Sequence, residues 1–131
     1  MSYNHRNMLK GQAMVEFALL LPILLIILVG ILEFALFLNS YLIVQSTARD
    51  VVRQISVGLP EAAVIQTSMD NARGIDRTRL TITISPGLSQ RTRGTPVSAT
   101  LRYDHRVITP FIGPLIGGAS TYEIRATMRM E

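Results

Sequence analysis

Between Phe17 and Leu32 the chain carries no charged residue, and Glu33 is the only one before Arg49. A run of this length constrains the fold more than anything else in the sequence. About 20 apolar residues cross a bilayer core of about 30 Å. A secretory signal peptide fits poorly, because the run exceeds the usual ~7–15-residue apolar region and no small-x-small site follows in ALFLNSYL. A buried core helix fits poorly too. The remaining residues are too polar to wrap such a helix on every side. Arg6 and Lys10 precede the run without an acid, and the next base is Arg49, followed at once by Asp50. The positive-inside rule then expects residues 1–10 in the cytoplasm and the C-terminal portion across the membrane. Pro22 removes one backbone hydrogen bond inside the run and predicts a bend, which membrane helices tolerate.

Two carboxylates bracket the run. Glu16 lies six residues after Lys10, ~9 Å along a helix, and Glu33 lies ~25 Å further on. A charge at the bilayer centre costs several kcal/mol, roughly, so both positions make sense near the two interfaces. That spacing also rules out joint acid–base chemistry between them.

Composition narrows the function. The 131 residues have a formal charge of +4 and a mean hydropathy of +0.32. The bases are scattered arginines with a single lysine, Lys10, and no basic run that would suit nucleic acid. No cysteine is present, which excludes disulfides and thiolate metal sites. No cofactor is implied. Asp104-His105 has no nucleophile motif beside it and reads as a solvated strand end, so no catalytic residue is expected.

The segment Lys10-Gly11-Gln12-Ala13-Met14-Val15-Glu16-Phe17 resembles the processing site of type IV prepilins: a short basic leader, a glycine, and a glutamate at the fifth position beyond it, opening an apolar helix. The longer pattern of Gly11, Gln12, Ala13, Val15, Glu16, Phe17, Leu21-Pro22 and Glu33-Phe34 resembles the TadE-like family, pseudopilins or minor pilins of tight-adherence (Flp-type) pilus systems. Ala48-Arg49 and the closing RATMRME are similar to later segments of that family. The resemblance implies cutting after Gly11 by a membrane peptidase, with Glu16 answering the new α-amine, commonly in a neighbouring subunit. Glu16, Phe17, Pro22 and Glu33 would then serve helix assembly. A buried ammonium needs such a paired carboxylate. Losing residues 1–11 removes Arg6 and Lys10 and no acid, so the formal charge would fall from +4 to +2. Implied partners are a TadF-like second minor pilin, the Flp major pilin, the prepilin peptidase and inner-membrane platform proteins, in a hetero-oligomer at the inner membrane.

Beyond the run, Tyr41, Val44, Ala48, Val51 and Ile55 recur at helical spacing. One helix is expected from about Ala13 to Ser56, stopped by Gly58 and Pro60. The expected organisation is a leader over 1–11, a transmembrane helix over 12–38, an amphipathic stem over 39–58 and an α+β domain over 59–131. The stripe serves either the chain's own globular part or, at Tyr41, Val44 and Ala48, a partner subunit. PEAAVIQTSMDNARG reads as a second short helix with Ala62, Ala63 or Val64, Ile65 and Met69 on its buried face. Period-two alternation over Leu80–Ser85, Val97–Asp104 and Tyr122–Glu131 predicts three strands of a small antiparallel sheet, one face on the stem and the other solvated. TPFIGPLIGG is apolar but broken by proline and glycine, so it is a loop, and Phe111 and Ile112 are its candidate contact residues. Two rivals remain: an uncleaved bitopic membrane adaptor of a secretion or pilus machine, and an exported soluble domain.

Overall fold

The structure, a computed structural model, describes residues 4–110 and 113–131, with side chains from Gly11 onward and none at 115–116. Phe111 and Ile112 lie outside the described residues. The chain divides into two compact units, the first ending at Ala35 and the second spanning Leu36–Glu131. The fold is α+β.

Helix α1 runs Asn4–Ser56 without interruption. It begins well before the expected Ala13, because a lone glycine inside a helix costs only about 1 kcal/mol relative to alanine and does not stop it. Helical structure likewise continues through Pro22. The end falls where the sequence places it. Gly58 adopts φ +85°, Leu59 N–H donates to the Gln54 carbonyl at 3.2 Å, and Gly58 N–H donates to that of Ile55 at 3.0 Å. These two bonds form a Schellman cap, which needs a left-handed residue at Gly58.

In the second unit, α2 (Glu61–Asn71) follows Pro60 and buries Val64 and Ser68, with Ala72 just past its end. These positions are four residues apart and share one face. Ala62 is exposed, contrary to expectation; of the alternatives Ala63 and Val64 it is Val64 that is buried, and Ile65 and Met69 flank the buried line. Strands β1 (Leu80–Ser85), β2 (Pro96–Arg106) and β3 (Ala119–Arg129) form an antiparallel sheet in that order. In register, Leu80, Tyr103 and Tyr122 make one row, Ile82, Leu101 and Ile124 the next, and Ile84, Ala99 and Ala126 a third. β2 outlasts its expected end at Asp104 because His105 and Arg106 pair with Ser120 and Ala119. β3 stops early because Glu131 N–H turns instead to the Ser56 carbonyl at 3.0 Å.

The core joins stem to sheet. Val44, Ala48, Val51, Val52 and Ile55 from α1 cluster with Val97, Ala99, Leu101 and Tyr103 of β2, and with Val64, Ala72 and Leu80. Arg91 closes one margin of this unit: its buried guanidinium donates to Glu61 Oε2 at 2.7 Å and to the Pro86 carbonyl at 2.7 Å. A buried cation of this kind needs both partners to offset its desolvation. Among its described residues the TPFIGPLIGG segment has no strand. It contains a four-residue helix, α3 (Gly113–Ile116), closed by Gly117 and Gly118 at positive φ.

Candidate assembly and membrane interface

In the first unit every side chain from Gly11 to Leu28 is exposed, and none of the most apolar window is buried. Phe17 is 63% exposed and Leu24 59%. Each Å² of such surface left in water costs about 25 cal/mol, so a surface this large requires lipid or other helices around it. Its polar residues sit at the ends. At the N-terminal end Gln12 Nε2 donates to Glu16 Oε1 at 3.2 Å, an exposed i, i+4 pair. Gly11 meets nothing within 4 Å of where a Cβ would stand, so no packing in the chain demands a glycine there. At the other end Glu33 is only 8% exposed, although Leu32 and Phe34 beside it are open. The two carboxylates of the sequence pattern therefore differ in kind: Glu16 is presented outward and Glu33 is held.

The second unit divides the expected partner contacts. Val44 and Ala48 are fully buried in the chain's own core, which takes the simpler reading of the stripe and leaves them no surface to offer. Tyr41 is half-buried in an aromatic cluster. Its ring centroid lies 6.4 Å from Phe37 and 5.5 Å from Tyr122. Phe37 meets Tyr122 and His105 edge-on, each at 5.4 Å. Such edge-to-face pairs add roughly 0.5–1.5 kcal/mol beyond their buried area.

His105 is not a solvated strand end: it is 7% exposed. It continues the inward row of Val97, Ala99, Leu101 and Tyr103, because β2 runs on to Arg106. The Ser40 hydroxyl of α1 also joins this cluster. Ser40 Oγ donates to the Phe37 carbonyl at 2.8 Å and accepts from Tyr122 OH at 3.1 Å. His105 Nδ1 lies 3.2 Å from the same oxygen. Ser40 has one proton and gives it to Phe37, so Nδ1 carries the hydrogen and donates. Burial, above all, raises the Tyr122 phenol above its usual 10.0, which keeps it a neutral donor. Asp104, by contrast, is at the surface as expected, accepting from Thr121 Oγ1 at 2.7 Å.

Tyr103 OH accepts from the Asp76 N–H at 3.3 Å. Asp76 organises the turn before β1, accepting from Thr78 N at 3.1 Å, Thr78 Oγ1 at 2.6 Å and Arg79 Nε at 3.2 Å. The Thr78 side-chain bond, then its backbone bond, lower the Asp76 pKa. Among the described residues no three His, Asp or Glu side chains gather to hold a metal ion.

An exposed apolar helix opened by a glycine–glutamate spacing, followed by a stem whose buried face closes on a small sheet, is the arrangement against which similarity to known proteins is informative. The TadE-like protein family model matches residues 11–53. No curated protein and no solved structure matches the chain. The TadE-like segment takes in Gly11, Gln12, Glu16, Phe17, Pro22, Glu33, Tyr41, Val44 and Ala48, and ends one turn short of the helix cap. His105, Tyr103 and Tyr122 fall outside it. TadE-like proteins are a structural, pilus-associated family. The match covers about a third of the chain and lies on α1, which is long and apolar enough to cross a membrane.

Proposed function

We propose that this chain is a minor pilin or pseudopilin subunit of a tight-adherence pilus. It is inserted with its N-terminus in the cytoplasm, cut after Gly11, and assembled through α1. The observation that carries this reading is the uncovered apolar surface from Gly11 onward within the TadE-like segment, opened by an outward-facing Glu16. Cutting creates an α-amine at Gln12, four residues before Glu16. The Gln12–Glu16 bond shows that the two residues reach each other along one helix face, and in an assembly the carboxylate answers the amine of a neighbouring subunit. Gly11 suits a protease subsite that excludes side chains. The partners on this reading are a TadF-like minor pilin, the Flp major pilin, the prepilin peptidase and the platform proteins of the inner membrane, with the α+β unit on the far side of the membrane.

Glu16→Ala tests the counter-charge directly. Processing is expected to continue while pilus assembly drops, scored by mature mass and by counting pili. Normal piliation in that variant removes the role assigned to Glu16. Glu33→Gln and Glu33→Leu separate the second carboxylate's charge from its burial. If both assemble normally, Glu33 serves only the edge of the span.

One observation favours the rival, an uncleaved bitopic adaptor. Helix α1 continues through Gly11, so the peptide bond to be cut lies within helix and must unwind to enter a protease. Glycine lowers the cost of that unwinding. The mature N-terminus separates the two readings.

A further inference from the structure

Beside the aromatic cluster the second unit has a cleft of about 300 Å³, walled by Leu36 and Asn39 of α1, Asp76 and Arg79 before β1, and Tyr103 and Arg106 of β2. Its unused charged groups are donors, and the exposed Asn39 amide adds a neutral group that can both donate and accept. Arg79 spends Nε on Asp76 Oδ2 at 3.2 Å, and its two Nη groups bond to nothing among the described residues. Arg106 makes no ion pair among them. The Tyr103 oxygen accepts from Asp76 N–H, while its own O–H donates to no described residue, though Tyr103 is a buried side chain. Asp76 is the one acid on the wall, and its carboxylate is already taken by Thr78 and Arg79. Two guanidinium groups against one occupied carboxylate leave a net positive wall. A site whose uncommitted charges are cationic donors fits an anionic ligand rich in acceptors.

Position along the chain narrows the ligand. Asn39 directly follows Leu38, the end of the expected transmembrane helix, and Leu36 lies two residues before that end, ~3 Å along a helix. The headgroup layer on each side of a bilayer is about 5–7 Å deep. On the single-pass reading, Leu36 and Asn39 of α1 fall where that layer begins. The rim of the cleft is apolar where acyl chains would begin: Leu36 and Ile108 are both exposed.

We propose that this cleft holds the phosphate of an anionic phospholipid headgroup, bridged by Arg79 and Arg106 and accepting the Tyr103 hydroxyl proton. The inference rests on the single-pass membrane reading above. Free phosphate shares the recognised chemistry but lacks the glycerol and acyl part that Leu36 and Ile108 would meet.

The test uses the full chain. Flotation with phosphatidylcholine vesicles first checks insertion; failure there overturns the membrane reading and this inference with it. Native mass spectrometry from micelles then compares retention of phosphatidylglycerol, phosphatidylcholine and inorganic phosphate. Preferential retention of one phosphatidylglycerol is expected, weakened about tenfold in the Arg79→Gln/Arg106→Gln double variant. Tyr103→Phe, which keeps the ring but gives up the Asp76 N–H bond, should weaken it less, and both variants should still melt cooperatively. A chain that inserts but shows no preference for phosphatidylglycerol, or whose preference survives the double variant, overturns the inference alone. Inorganic phosphate binding as tightly as the lipid overturns the lipid assignment.

Discussion

Leu24 and Val51 are both apolar residues of α1, yet Leu24 is 59% exposed and Val51 is completely buried. From Phe17 to Leu32 the helix is apolar on every face, and every residue of it up to Leu28 is exposed. From Val44 to Ile55 the apolar residues Val44, Ala48, Val51, Val52 and Ile55 share one buried face, which the sheet fills. The backbone is the same; the surroundings the sequence anticipates are not. A helix meant for lipid or for like helices has no reason to be periodic. One meant for a single sheet face must be, because water meets its other faces.

That contrast can be broken in graded steps. The largest effect should come from the covered half. Ile55→Ala or Leu101→Ala is expected to destabilise the second unit by about 2–5 kcal/mol, the usual range for emptying a filled core position. Leu24→Ala should stay within about 0.5 kcal/mol in the same denaturant titration. Equal losses at Leu24 and Ile55 would mean that the uncovered half is packed after all. Next comes a charge in the uncovered half. Leu25→Arg is expected to cost about 2.5–3.5 kcal/mol of insertion and to move the protein out of the membrane fraction. Gln45→Arg, beside the stem's buried face, should leave fractionation unchanged. The smallest effect is polar. Ser40→Ala removes the hydroxyl shared by Phe37, Tyr122 and His105, and should cost about 1 kcal/mol by melting. It should also shift the His105 ring signals in an NMR spectrum, and an unmoved His105 would show that Ser40 does not hold it.

The sequence makes the uncovered half easy to read, since length and lack of charge suffice. The covered half is also legible: Val44, Ala48, Val51 and Ile55 stand three and four residues apart, and the three strands show their alternation plainly. What escaped is long-range. His105 between Asp104 and Arg106 looks like a surface residue, and only the two-residue period carried on from Tyr103 would have placed it inside. Arg91 gives no local hint of burial, because its partner Glu61 is thirty residues away. Val44 and Ala48 were open to two uses, and periodicity alone cannot distinguish a chain's own sheet from a neighbour's helix. Gly11 and Glu16 are a different case, because the role proposed for them rests on the sequence. Their significance lies in spacing along the chain, and the fold adds only that both are exposed.

The central claim is that the uncovered half is a retained assembly helix that begins at a cut made after Gly11. The intact mass of the protein purified from membranes, in cells that hold the peptidase, tests it most directly. A chain beginning at Gln12 is the predicted result. A chain that keeps Arg6 and Lys10 under those conditions contradicts the claim and leaves the uncleaved adaptor in its place.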